Sequence, residues 1–401
     1  MDFDMKQTFF FTLLLSLIIA GCSSEKFRIA QIDHEIDSLK TIFAPDPRTA
    51  VFKVTAVEGS GGVILRGEVD NPESKETLLS RLQKFGEQNL IDSITTLPQT
   101  YLQPKIYGIV DVSVASLYAA PKYASELVDQ ILLGHTVTVL EEHHGWYYVK
   151  STPEPPLDKG YLGWVDTDNI FRLDSTAFAS YVGTRKLIVT SIFATVQSSP
   201  IGGTMVSDVV MRDILKPVSK VGSTYKIELP DGRVGYLQSS DAEFYDKYFS
   251  THKPTPEAIE NTAKRLIGFP YLWGGTSTKG LDCSGFVKTV FGMNGINLPR
   301  DASQQANVGE NVDPGSDFID LRKGDLLFFG QKADSGKPEK ITHVAIYLGD
   351  GYFIHSSSLV HISSLVKNDS AFDSYDLSRF VKAKRILGAV TNDQMSMTNE
   401  R

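Results

Sequence analysis

Between about Lys105 and Tyr248 the chain is a succession of short apolar runs broken by tight turns, and this rhythm restricts the middle of the molecule to small all-β units. Val110–Val114, Leu127–Leu132, Thr136–Glu141, Trp146–Lys150 and Tyr161–Val165 each have strand length, with Gly134 and Gly145 as punctuation. Short strands at regular spacing are the pattern of a small barrel. A fainter copy follows in Lys186–Thr190, Val209–Leu215, Thr224–Leu229 and Val234–Leu237. The sequence therefore predicts two tandem barrels, over residues 105–174 and 175–250, with His252–Pro256 as the linker beyond them.

The flanks differ in character. Val51–Val57 and Val63–Val69 alternate like paired strands across the Gly59–Gly62 turn, and Ile91–Leu97 reads as a third strand. Leu78, Leu79, Leu82 and Phe85 have helical spacing. Residues 23–104 thus read as a small α+β unit in which no chemistry is legible. After the linker, Thr255 and Pro256 open a helix as cap and first residue, and Leu281–Phe291 reads as a second helix. Gly324–Phe329, His343–Leu348 and Tyr352–His355 read as strands, so residues 255–390 form an α+β domain.

The first 22 residues stand apart from the fold. After Lys6, the apolar run from Phe9 to Ala20 is too short to span a bilayer of ~30 Å but has the length of a signal-peptide core. The run ends in Ile19-Ala20-Gly21-Cys22, which resembles the lipobox of bacterial lipoproteins. That resemblance implies a lipoprotein signal over residues 1–22, a diacylglycerol on the Cys22 thiol and attachment to a membrane. An ordinary secretory signal with a chance cysteine is the alternative. Ser23 and Ser24 follow Cys22 where inner-membrane retention would place Asp, so an outer-membrane lipoprotein facing the periplasm or the surface is expected. The formal net charge is −8 and no basic cluster occurs, which excludes the footprint of a nucleic-acid binder.

Cys22 and Cys283 are the only cysteines, so a lipid on Cys22 leaves Cys283 without a partner in the chain. Cys283 sits at a predicted helix start, where free N–H groups and the helix dipole favour the thiolate. His343 and His355 lie on two strands joined through Gly349-Asp350-Gly351. Without a bulge, their even separation puts both on one sheet face, opposite each other or within a residue of it. One imidazole can then serve Cys283 as base while the other orients it. The pair is also compatible with metal binding, but a zinc site takes three or four ligands and no acidic or histidine cluster lies nearby in sequence to complete one. No metal and no cofactor are expected.

Tyr271-Leu-Trp-Gly-Gly275, Asp282-Cys283-Ser284-Gly285-Phe286, Arg322-Lys-Gly-Asp-Leu-Leu-Phe-Phe329 and Thr342-His343-Val-Ala-Ile-Tyr347 together resemble the NlpC/P60 family of cell-wall cysteine peptidases. The resemblance covers about 130 residues, with the motifs in the family's order. It implies a papain-like α+β domain with Cys283 as nucleophile, His343 as base, His355 as the third polar residue and Tyr271 beside the thiol. Leu117-Tyr-Ala-Ala-Pro121, Gly145-Trp-Tyr-Tyr-Val149 and Gly160-Tyr-Leu-Gly-Trp-Val165 resemble bacterial SH3-type domains. With two such barrels the chain looks like the subgroup that cuts the γ-D-glutamyl–diamino acid bond of murein stem peptides, the diamino acid being meso-diaminopimelate or L-lysine. The subgroup's pattern implies that Glu126, Tyr161 and Asp282 hold a free N-terminal L-Ala, and that Ser284 and Ser303 hold the D-Glu carboxylate. Murein peptides are then the partner, and a monomer is expected. Other readings are a general endopeptidase on intact murein, a non-catalytic murein-binding lipoprotein, and acyl transfer to lipid or amine. The Cys-then-His order favours the peptidase.

Overall fold

The computed structural model describes residues 29–84 and 89–388. The signal sequence and Cys22 lie outside them. The chain divides into two compact units, residues 1–101 and 102–401. Among the described residues no helix is long and apolar enough to cross a membrane.

The first unit begins with helix α1, described over residues 29–43. Strands β1 (Phe52–Gly59) and β2 (Gly62–Val69) pair antiparallel; helix α2 (Pro72–Lys84) then crosses to β3 (Leu90–Thr96), which runs parallel to β2. Ile32, Ile36 and Leu39 of α1 and Leu78 and Leu82 of α2 bury against Phe52, Val54, Val63 and Leu65 of the sheet.

The second unit contains two seven-stranded sheets and a catalytic-type α+β domain. The first sheet comprises β4 (Tyr107–Val110), β5 (Val114–Tyr118), β6 (Leu127–Leu132), β7 (Thr136–His143), β8 (Trp146–Ser151), β9 (Leu162–Asp166) and β10 (Ile170–Leu173). Helix α3 (Ser175–Gly183), capped by Asp174, leads to the second. That sheet comprises β11 (Leu187–Val189), β12 (Phe193–Gln197), β13 (Met205–Val210), β14 (Ile214–Val221), β15 (Thr224–Glu228), β16 (Val234–Gln238) and β17 (Ala242–Phe244). Counted within each sheet, the strand order is seven, one, four, five, six, two, three in both, so the second barrel repeats the first strand for strand. Two expected strands are each divided in the structure. Val110–Val114 holds the end of β4, a bend and the start of β5. Val209–Leu215 holds the end of β13, a turn and the start of β14. Arg212 makes that second turn with φ of 78°, the value Gly134 has between β6 and β7.

Helix α4 (Tyr245–Thr251) closes the second barrel. Helix α5 (Pro256–Lys264) follows, with the Thr255 hydroxyl accepting from the Ala258 N–H at 3.2 Å and Pro256 in the first turn. The ribbon β18 (Thr276–Ser277) with β19 (Gly280–Leu281) precedes helix α6 (Cys283–Met293) and the short helix α7 (Ala302–Gln305). The main sheet comprises β20 (Glu310–Val312), β21 (Leu326–Gln331), β22 (Lys340–Gly349), β23 (Tyr352–Ser356), β24 (Val360–Ser364) and, after helix α8 (Ser374–Ser378), β25 (Phe380–Arg385). Its order is β20-β25-β21-β22-β23-β24. One face of this sheet packs Leu326, Phe328, Val344, Ile346 and Ile354 against Ile259 of α5 and Phe286, Val290 and Phe291 of α6. The other face gathers Leu327, Phe329, Ala345, Tyr347 and Phe353 into a separate cluster. A strand buried on both faces needs a continuous apolar run, which is why Leu326-Leu-Phe-Phe329 does not alternate.

Candidate active site

Asp282 precedes α6 in extended backbone and caps it, its Oδ1 accepting from the Gly285 N–H at 2.7 Å. This cap starts the helix at Cys283 and leaves the Ser284 N–H of the first turn beside the thiol. The residue is 7% exposed. Burial first, and Asp282 second, push its thiol up to about 12, against the downward pull of the Val344 N–H, Arg300 and the Ser284 N–H. The helix start thus acts in the expected direction, but burial outweighs it. Burial therefore favours the neutral thiol, and a base beside it would help to form the thiolate.

Cys283 packs with Val344, the residue after His343. A bulge between Tyr347 and Gly349 shifts the β22–β23 register, which pairs Ile346 with Ile354. His343 and His355 are therefore diagonal neighbours rather than opposite, and the assumption of an unbulged hairpin fails. The diagonal still lets the rings meet, with His343 Nε2 2.8 Å from His355 Nδ1. Burial, then Arg379, lowers the His343 imidazole to about 4. Burial, then His343 and His361, lowers His355 to about 2. Both rings are neutral at neutral pH. With Nε2 engaged on His355, Nδ1 is the ring nitrogen that His343 has left for another partner.

The fold adds partners that the local sequence hides. Asp376, on α8, places Oδ2 3.5 Å from His355 Nδ1 and 3.8 Å from His343 Nε2. Its carboxyl is held up to about 6 by burial and Asp373, while Arg379 and His361 act the other way. A third candidate ligand atom thus joins the two histidines, with all three within 4.8 Å of one another. The statement that nothing completes the pair is corrected in this respect: the completing carboxylate comes from 21 residues beyond His355. A 2.8 Å contact between two ring nitrogens is nevertheless the geometry of a hydrogen bond between them, not of two lone pairs turned to one cation.

The first barrel meets the catalytic domain beside this centre. Glu126, exposed just before β6, accepts from Trp273 Nε1 at 2.9 Å. The Tyr161 hydroxyl, 7% exposed, donates to Asp301 Oδ2 at 3.0 Å. Tyr271 is partly exposed, and burial followed by the nearby Cys283 and Asp282 raises its phenol. Asp282 is already engaged: it accepts from the Gly274 N–H at 3.0 Å and pairs through both oxygens with Arg300, which reaches Oδ1 at 3.1 Å. Ser284 Oγ is inside the same network, accepting from Arg300 at 3.0 Å and donating to Asp282 at 3.2 Å. Ser303 lies partly buried on α7, two residues after Asp301.

Arg300 itself, 3% exposed, pairs with Asp282 and also with Asp129 of β6 at 2.7 Å. One guanidinium therefore joins the cap of α6 to the barrel. Sequence reasoning missed Arg300, Asp301, His361 and Asp376. Only His361 had a signal, since His355 and His361 flank the turn after β23 symmetrically and pair directly across it. A cavity of about 680 Å³ lies between the barrels and α6, lined by His135, Glu154, Arg212 and Lys288. Neither Cys283 nor His343 lines it.

Comparison with known proteins agrees with this arrangement. Residues 268–383 match the NlpC/P60 family and residues 113–171 the bacterial SH3 domain. A gamma-D-glutamyl-L-lysine dipeptidyl-peptidase of Bacillus cereus is 34% identical over 58% of this chain and 68% of its own. The protein of that name from Bacillus subtilis is 32% identical over 57% of this chain and 71% of its own. The crystal structure of an NlpC/P60 family protein from Bacillus cereus superposes with a TM-score of 0.58 at 29% identity, over 70% of this chain and 99% of that one. A buried cysteine at a helix start, an imidazole pair on the adjoining sheet and these relatives lead to one assignment: the chain belongs to the NlpC/P60 family and is a cysteine peptidase.

Proposed function

We propose that the protein hydrolyses the bond between the γ-carboxyl of D-Glu and a diamino acid, meso-diaminopimelate or L-lysine, in murein peptides that begin with a free L-Ala. The single observation that carries this reading is the seam at Glu126–Trp273 and Tyr161–Asp301, where the barrel sets an exposed carboxylate against the loop that leads to Cys283. A carboxylate so placed suits a short chain that ends in an ammonium. The names of the two Bacillus relatives support the bond assignment.

In this reading His343 Nδ1 takes the Cys283 proton as sulfur attacks the D-Glu side-chain carbonyl. The Cys283 N–H, at the first helix position with no intrahelical acceptor, faces the developing oxyanion. His343 then gives its proton to the departing diamino acid, and water releases the thioester. The protein would act as a lipoprotein held through Cys22, as a monomer at the outer membrane on the periplasmic or surface side. Incubation with L-Ala-γ-D-Glu-diamino acid peptides and mass spectrometry of the products tests the assignment. The expected products are L-Ala-D-Glu and the free diamino acid segment, with none from Cys283→Ala. Cleavage at another bond, or equal turnover by folded Cys283→Ala, contradicts it.

A further inference from the structure

The carbonyl of Leu359 has a consequence for the base 16 residues before it. His361 Nδ1 lies 3.0 Å from that oxygen. A carbonyl only accepts, so Nδ1 carries a proton, and in the neutral ring Nε2 then keeps a lone pair. His361 Nε2 lies 3.1 Å from His355 Nε2, which must then be the donor of the two. Ser363 Oγ, 3.2 Å from the same His355 nitrogen and directed on to Asp373 Oδ2 at 3.5 Å, is a second acceptor there. A neutral His355 with its proton on Nε2 has a lone pair on Nδ1. That lone pair faces His343 Nε2 at 2.8 Å and takes a hydrogen bond from it. His343 is thereby left with its lone pair on Nδ1.

We propose that His361 is a positioning residue: anchored on the Leu359 carbonyl, it fixes the tautomers of His355 and His343 so that the base nitrogen of His343 is the one free to take the Cys283 proton. The inverted chain shows why an anchor is needed. With the His355 proton on Nδ1, two lone pairs would face each other between His355 and His361. His343 would then carry its proton on Nδ1 and could not act as a base. Asp376 Oδ2, 3.5 Å from His355 Nδ1 and 3.8 Å from His343 Nε2, attracts the proton shared by that pair and, being slightly nearer His355, pulls weakly against the proposed arrangement. The carbonyl and the serine hydroxyl make the choice.

The proposal rests on the Cys283–His343 reading, so its test has an arm that needs no substrate. Long-range nitrogen–proton NMR of the resting ¹⁵N-histidine-labelled protein should show His343 and His355 protonated on Nε2 and His361 on Nδ1. Either of His343 or His355 protonated on Nδ1 instead would overturn it, whatever the substrate proves to be. In kinetics, His361→Phe combined with Ser363→Ala removes both acceptors and should lower kcat and the rate of Cys283 alkylation by iodoacetamide about tenfold or more, with KM within about twofold. His361→Gln, whose amide can accept from His355 and donate to Leu359, should recover most of both rates. A folded double variant with unchanged rates, or a glutamine variant as slow as the double variant, would contradict the lock.

Discussion

Cys283, His343 and His355 lie where burial disfavours charge on each of them. Burial holds the thiol up to about 12 and the His343 ring down to about 4, so it favours the neutral form of both. An imidazolium formed on His343 or His355 would face Asp376. This arrangement has a signature in stability. His343 drops from 6.5 to about 4 on folding, so between those values the unfolded chain binds more protons and stability falls as pH falls. Asp376 has the opposite sign: raised from 3.8 to about 6, it keeps a proton in the fold that the unfolded chain releases, so its contribution grows as pH falls through that window. The groups facing it are His343, His355, His361, Asp373 and Arg379. The Asp376→Asn variant loses the second term only. Its Tm should therefore decline more steeply than the parent's between pH 6.5 and 4, measured by thermal unfolding across that range. Parallel declines would show that Asp376 does not hold the proton assigned to it.

At the scale of elements, apolar spacing and turn residues were enough for most strands and helices, and they failed where a turn lacks its usual residue. Gly134 and Arg212 occupy the same place in the two barrels with the same φ of 78°. The glycine announces the turn, while the arginine leaves Val209–Leu215 looking like one strand. Cys283, His343 and His355 were legible because their chemistry sits in local motifs. Asp376 and Arg300 were not, because only tertiary packing brings them to the site. Arg300 shows how much rests on such packing. It is 3% exposed between Asp282, at 7%, and Asp129, at 4%. Removing one partner from a buried ion group leaves the remaining charges uncompensated, at a cost of about 3–5 kcal/mol. Arg300→Met should lose that much in denaturant unfolding and should weaken activity, because the cap of α6 and the barrel lose their common tie. A loss under about 1 kcal/mol would mean that the two carboxylates are satisfied without it.

At the scale of the whole molecule, the first barrel and the catalytic domain are joined along one continuous seam. Gly274 has φ of 77°, and a Cβ there would lie 2.3 Å from the Leu127 carbonyl of the barrel, so the loop leading to Cys283 presses backbone to backbone on β6. Thr276 and Ser277 hydrogen-bond Asp129 and Gln130 along the same seam. The second barrel docks on its own account, through Thr278 to the Ile192 carbonyl and Arg265 to the Thr190 carbonyl. The unit of residues 1–101 has a separate core. If the barrel wall reads the free amine, the specificity of the peptidase belongs to the assembly and not to the triad alone. The direct measurement is kcat/KM on stem peptides with free and with acetylated L-Ala, for the parent and for Glu126→Ala. Glu126 keeps contact with water, so losing the charged pair is worth about 1.5–3 kcal/mol, and acetylation should lower the parent's value at least about tenfold. Glu126→Ala should be slower on the free peptide and should narrow that gap. Equal rates on the two peptides, or an undiminished gap in Glu126→Ala, would contradict the account.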